Sequence, residues 1–211
     1  MALATVASRA LAGIDAPEVT VEVHLGPGLP AFHIVGLPDA EVREAKDRVR
    51  AALHHAQFEF PSRRITVNLA PADLPKDSAR FDLPIALGIL AASGQLKGAA
   101  LAGLEFAGEL SLTGELRPVR GALAMALGTG RAGRAFILPA ASAAQAALAE
   151  RAIVLPAASL LEVCAHLGVG HADDVERGQA RPEVHFHRHL GRIDPGKRAA
   201  RHRCQRHVHL P

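Results

Sequence analysis

The chain has 211 residues, 49% of them apolar, and a formal net charge of +3. The charge is unevenly spread: residues 171–211 hold nine of the 24 Lys and Arg and five of the 21 Asp and Glu, which leaves residues 1–170 with 15 basic against 16 acidic side chains. The body therefore lacks the bulk basicity of a nucleic-acid-binding domain, no stretch reaches the roughly 18 apolar residues of a membrane span, and with neither Trp nor Tyr the stacking platforms for bases are largely missing.

Residues 2–10 read as a first strand or a sheet edge. Val19, Val21, Val23 and Leu25 alternate with Thr20, Glu22 and His24, the period of a strand with one face buried. Gly26-Pro27-Gly28-Leu29-Pro30 turns the chain and residues 31–35 return, so the two strands predict a hairpin. His24 and His33 lie on these strands and, with no third ligand at metal spacing, read as solvent-face side chains. Asp39 predicts the cap of a helix over residues 41–53, with Val42, Ala45, Val49 and Leu53 in one apolar stripe. Arg43, Glu44, Lys46, Asp47, Arg48 and Arg50 fall on its other side, with Glu44–Arg48 and Arg43–Asp47 at i,i+4 spacing. Their mixed signs predict a solvated face rather than a nucleic-acid patch.

Residues 65–94 organise the rest. Ile65, Val67 and Leu69 alternate with Thr66 and Asn68 as a strand, a loop with two prolines and a charged cluster follows, and from Leu83 onward the chain is apolar on nearly every face. The last segment predicts a helix enclosed by other elements, with Asp82 as its N-cap and Pro84 in its first turn. The loop brings charged groups to the positive end of that helix. Lys76, Asp77, Arg80 and Asp82 are thus the candidate interaction residues, with Asp82 capping the helix and Lys76 and Arg80 forming surface ion pairs or meeting a partner.

The stretch Leu74-Pro75-Lys76-Asp77-Ser78-Ala79-Arg80 resembles the Pro-Lys-Asp-Gly-Pro-Ser-Ala-Gly motif of Lon-type proteases. Residues 68–76 and 80–96, together with residues 21–53, resemble more closely the ComM/YifB family of magnesium-chelatase-like AAA+ proteins. Alignment with the Lon motif places Arg80 where the nucleophilic serine stands, and residues 108–121 lead to Leu123 where the lysine base stands. Arginine stays protonated and leucine does not titrate, so the Ser-Lys dyad is missing. Ser78 beside Lys76 is a poor substitute, because i,i+2 neighbours in a loop point in different directions. The resemblance implies a ribosomal protein S5 domain 2-like fold, as in the Lon proteolytic domain. It also implies an accessory domain whose full-length relatives are hexameric ATPases acting in DNA branch migration during natural transformation.

Further on, residues 104–106 and 109–112 read as short strands, and residues 122–127 as a small helix broken at Gly128-Thr129-Gly130. Residues 135–138 and 152–155 read as buried strands separated by an Ala-rich helix over 141–151, and Ser159 caps a last helix over 160–167. From about Gly170 the pattern is lost: 12 of the last 41 residues are apolar, with no sustained period. Gly191-Arg192-Ile193-Asp194-Pro195-Gly196-Lys197 fits G-x-x-x-x-G-K, but Arg198 replaces the Mg²⁺-binding Ser or Thr. His185, His187, His189, Cys204, His207 and His209 would bind transition metals adventitiously, and no physiological metal site is predicted. Cys164 and Cys204 form no disulfide framework, in keeping with a reduced cytoplasmic setting.

The expected architecture is a mixed two-layer α+β domain over residues 1–168, followed by an irregular basic tail over 169–211 from a truncated or frame-shifted gene end. No catalytic residues and no cofactor are expected for this chain. ATP and Mg²⁺ belong to full-length relatives, with AAA+ motor subunits or DNA as partners in that context. A residual Lon-like serine peptidase and a nucleic-acid-binding module using the tail with Arg43, Arg48 and Arg50 remain the alternatives.

Overall fold

A computed structural model describes residues 2–13 and 15–169. Its strands are β1 (Ala2–Arg9), β2 (Glu18–Gly26), β3 (Ala31–Val35), β4 (Arg64–Ala70), β5 (Leu104–Phe106), β6 (Glu109–Leu110), β7 (Leu116–Arg117), β8 (Ala135–Pro139) and β9 (Ile153–Ala157). Its helices are α1 (Ala40–Arg43), α2 (Ala45–His55), α3 (Asp82–Ala92), α4 (Ala122–Arg131), α5 (Ala143–Ala146) and α6 (Leu160–His166). Seven strands make one sheet in the order β3-β4-β2-β1-β5-β8-β9, and β6 pairs with β7 in a small second ribbon. The pairs β3–β4, β1–β5, β5–β8 and β8–β9 are parallel, whereas β1–β2 and β2–β4 are antiparallel, so the fold is mixed α/β with a mostly parallel sheet. No helix among the described residues is long and apolar enough to cross a membrane.

Alternation decides which side of each strand meets the core. Val19, Val21, Val23, Ile65, Val67 and Leu69 are fully buried, while Thr20, Glu22, Thr66 and Asn68 between them are not. Asn68 donates to Glu22 across the open face at 2.8 Å. The buried side carries α3, whose residues from Asp82 to Leu90 are all enclosed. Gly88 of that helix permits the contact: a Cβ there would stand 2.5 Å from Val23 Cγ2. Gly88→Ala should therefore destabilise by about 1–3 kcal/mol through overpacking, outweighing the roughly 1 kcal/mol that alanine gains over glycine in a helix. A urea melt yielding an equal or higher midpoint would contradict this.

β8 is buried on both sides. Ile137 joins the core under α3, whereas Phe136 and Leu138 join a second cluster with Met125 and Ala126 of α4. Glu105 is in register with Phe136 and so faces α4. There Glu105 accepts from Arg9 Nε at 2.6 Å and Nη2 at 2.8 Å, from Arg134 at 3.1 Å and from the Thr129 hydroxyl. This buried cluster explains why α4 continues past the expected break at residue 128. Thr129 is held by Glu105, and Gly128 leaves room for the Arg9 guanidinium, which a Cβ would approach to 2.7 Å.

Other expectations also need correction. β1 is interior, between β2 and β5, rather than an edge. β2 and β3 do not form a hairpin, because β4 lies between them and pairs with both. At roughly 3.3 Å per residue the four-residue link over 27–30 can cross one intervening strand, so its length does not require direct pairing. The helix expected over 41–53 is interrupted at Glu44, yet Val42, Ala45, Val49 and Leu53 are all fully buried and the stripe survives the break. The expected 141–151 helix shrinks to a 3-10 turn and α5, because Leu148, Ala149 and Ala152 leave the α ladder for i→i−3 bonds. The strand expected over 109–112 ends at Leu110. Ser159 caps α6 as expected, accepting from Glu162 N. Cys164 is a free, buried thiol that burial pushes up to about 12, which leaves it unreactive.

Candidate functional site

The loop between β4 and α3 is fastened to the end of β3. Lys76 N donates to Leu37 O at 3.4 Å and Asp39 N donates to Lys76 O at 3.1 Å, so the parallel pairing of β3 with β4 resumes beyond the strands. Asp39 then uses both carboxylate oxygens: Oδ1 caps α1 by accepting from Val42 N at 2.8 Å, and Oδ2 accepts from Ser78 N at 3.2 Å. Two residues flanking this junction have positive φ without being glycine, Leu37 at 58° and Ser78 at 63°. Such backbone costs roughly 1–3 kcal/mol per residue and tends to cluster where function constrains a chain.

Lys76 and Arg80 are each only 1% exposed, so they are not the surface ion pairs expected. The tethering described above draws Lys76 inward, where its Nζ donates to Pro71 O. Arg80 precedes α3 in a 3-10 turn, donates from Nε to Ser78 Oγ at 2.8 Å, and reaches Asp77 through Nη2 at 3.4 Å. Burial holds both cations below their usual pKa values. Asp77 remains on the surface, its side chain 63% exposed.

Asp82 does not cap α3. It is the first helical residue, Phe81 takes the cap position without a side-chain bond, and the Asp82 carboxylate is fully buried. The carboxylate faces Arg48 of α2, which donates from Nε at 2.6 Å and from Nη2 at 3.1 Å, and it also accepts from Leu110 N at 3.2 Å. Arg48 further donates to Glu41 O at 2.8 Å. One carboxylate thus ties α2, α3 and β6 together.

Burial pushes Asp82 up to about 6, against the opposing pull of Arg48. A carboxyl that holds its proton more tightly when folded favours the folded state most at low pH, and that contribution falls as pH rises from about 4 through about 6. Moving from pH 4.5 to 7 should cost the native chain about 2 kcal/mol relative to Asp82→Asn, which does not titrate. Parallel denaturant titrations of the two proteins measure this, and coincident pH profiles would refute it.

Comparison with known proteins places this geometry in a family. The family described as "Subunit ChlI of Mg-chelatase" matches residues 21–142. Competence protein ComM of Haemophilus influenzae is 52% identical over 167 residues, which cover 79% of this chain and 33% of that protein. The uncharacterized protein YifB of Salmonella typhimurium is 49% identical over 172 residues, covering 82% of this chain and 34% of that protein. The chain belongs to the ComM/YifB family. It spans about a third of the length of these relatives.

In this ComM/YifB member the four candidate residues, three between β4 and α3 and Asp82 at the start of α3, do not converge on one point: Asp77 meets Arg80, whereas Asp82 turns away to Arg48. The Ser78 hydroxyl accepts from Arg80 and the Lys76 amine donates to a backbone carbonyl, so the two are engaged with other groups. Leu123 packs at the edge of the second core. Arg48 was expected on the solvated face. It reaches Asp82 from the margin of that face, and no local spacing singles it out, since Lys46 stands four after Val42 and three before Val49 and is exposed. With Arg48 committed to Asp82, the arginine face of Arg43, Arg48 and Arg50 is one cation short. Arg50 lies over the Phe60 ring at 5.0 Å. His185, His187, His189, Cys204, His207, His209 and the 191–197 match lie outside the described residues, as does all but the first residue of the expected tail.

Proposed function

We propose that this chain is a non-catalytic accessory domain of a ComM/YifB-type protein, and that it works through contacts made by the loop of Lys76, Asp77 and Arg80. The observation that supports this reading is that Ser78 and Lys76 are bonded to other groups, alongside the resemblance to the Lon motif, which sets Arg80 and Leu123 at the places of nucleophile and base. An acyl-transfer site needs nucleophile and base within hydrogen-bond reach. In the full-length relatives the domain would sit beside an ATP-driven motor acting in DNA branch migration, with motor subunits or DNA as its partners. A cytoplasmic location accords with this setting.

ATP and Mg²⁺ belong to that motor. The link from β4 to α3 does not fit them: residues 71–81 contain no glycine, and the Asp82 carboxylate occupies the first helical turn where a phosphate would lie. Incubating the purified chain with unstructured peptide substrates and with ATP tests the reading. Neither should turn over faster than the buffer control. Peptide hydrolysis that disappears in Ser78→Ala would establish the peptidase alternative instead.

A further inference from the structure

Arg80 is the largest fully enclosed side chain of the described residues, and its hydrogen bonding is incomplete. Its Nη1 is buried without a partner, the one buried side-chain nitrogen or oxygen in that condition among the described residues. An unmet buried donor costs about 1–3 kcal/mol, and a buried charge needs a partner in addition. The counter-charge available to Arg80 is thin. Asp77 is mostly in solvent and its contact is long, Asp39 has both oxygens on backbone N–H groups, Glu41 acts on Arg80 only as a weaker, more distant charge, and Arg120 adds a like charge.

We propose that Arg80 is a receptor for a carboxylate carried by a partner, and that Asp77 is the internal placeholder which the incoming group displaces. The inference rests on reading this loop as a contact surface and names the chemistry of what it contacts. Arg80 is 1% exposed, so the loop has to open as Asp77 leaves; a carboxylate can then take Nη1 and Nη2 side by side, the fork geometry in which guanidinium and carboxylate match. A monoanion suits the place better than a phosphate dianion, because Asp39 and Glu41 both act electrostatically on Arg80 and would repel the second charge. The partner is therefore an acidic peptide, engaged through an Asp or Glu side chain or through a chain-terminal carboxylate. Asp77 competes from within, so binding in the native chain is weak until it moves.

The test titrates the full 211-residue chain with sodium acetate against sodium chloride at constant ionic strength, following the Arg80 side-chain Nε resonance by NMR. Acetate should shift that resonance saturably and chloride should not. Asp77→Asn should tighten the acetate response by roughly threefold, the scale of an exposed ion pair, and Arg80→Lys, followed on the Asp77 and Ser78 backbone amides, should show no saturable acetate shift while the rest of the spectrum holds. Capped Gly-Glu-Gly and an amino-capped Gly-Gly-Gly with a free carboxylate then separate a side-chain ligand from a chain end. No saturable acetate response in either the native chain or Asp77→Asn overturns the proposal, as does inorganic phosphate binding more tightly than acetate. If Arg80→Lys fails to fold, Asp77→Asn decides, and unchanged or weakened acetate affinity there counts against the idea. Acetate binding and peptide turnover are separate readouts, so failure of this site would leave the accessory role standing.

Discussion

Replacing Arg48 with alanine should lower stability by about 3–5 kcal/mol, the usual cost of stranding one member of a buried ion pair. Asp82 has no exposure and takes two hydrogen bonds from Arg48, so removing the guanidinium leaves a carboxylate facing only Leu110 N. The loss should be greater at pH 8 than at pH 5, because a stranded carboxyl escapes part of the penalty by taking up a proton. Arg43→Ala and Lys46→Ala, at exposed positions on the same helical segment, should stay within about 0.5 kcal/mol of the native chain. The double replacement Arg48→Met with Asp82→Leu should recover most of the loss, since apolar groups of similar size can replace a buried pair at little cost. Urea midpoints at the two pH values measure all four proteins. Equal effects for Arg48→Ala and Lys46→Ala would remove the bridge between α2 and α3 from the account.

The other large effect belongs to Glu105. It is fully buried and accepts from Arg9, Arg134 and Thr129, joining β1, β5, α4 and the turn before β8. Glu105→Ala strands Arg9, itself 7% exposed, whose remaining bond is from Nη1 to Ala16 O at 2.7 Å. A loss of about 3–5 kcal/mol is expected, or on the order of 10 °C in melting temperature for a chain of this size. Glu18→Ala removes the other carboxylate bound to Arg134, but from a side chain 40% exposed, and should change the melting temperature little. Calorimetry of the two variants separates them. A Glu105→Ala protein melting within a few degrees of the native chain would show that the cluster is not holding β1, β5 and α4 together.

What the sequence discloses here depends on whether the deciding contact is local. The strands over residues 19–25 and 65–69, the buried helix after Leu83 and the Ser159 cap all rest on spacing within a few residues, and the structure contains them. β4 lying between β2 and β3 depends on pairing across some 40 residues of sequence, for which a short glycine- and proline-rich link is no guide. The same holds at the site. Asp82 carries the local marks of a cap, yet its partner lies 34 residues earlier on α2, and that long-range bond turns a surface cap into a buried bridge. Lys76 and Arg80 look like solvent-exposed loop charges until Leu37 and Asp39 draw the loop inward. The Arg48 position is likewise hidden in the sequence, because its partner is 34 residues away and its spacing to buried residues is no different in kind from that of exposed Lys46.

The place of β1 has a practical consequence. The strand that joins the β3-β4-β2 half of the sheet to the β5-β8-β9 half is made from residues 2–9. Removing residues 2–9 would thus unzip the domain down its middle, whereas a loss within the 27–30 link would disturb only a rim. A protease cut within residues 2–9 should accordingly cost the domain its cooperative melting.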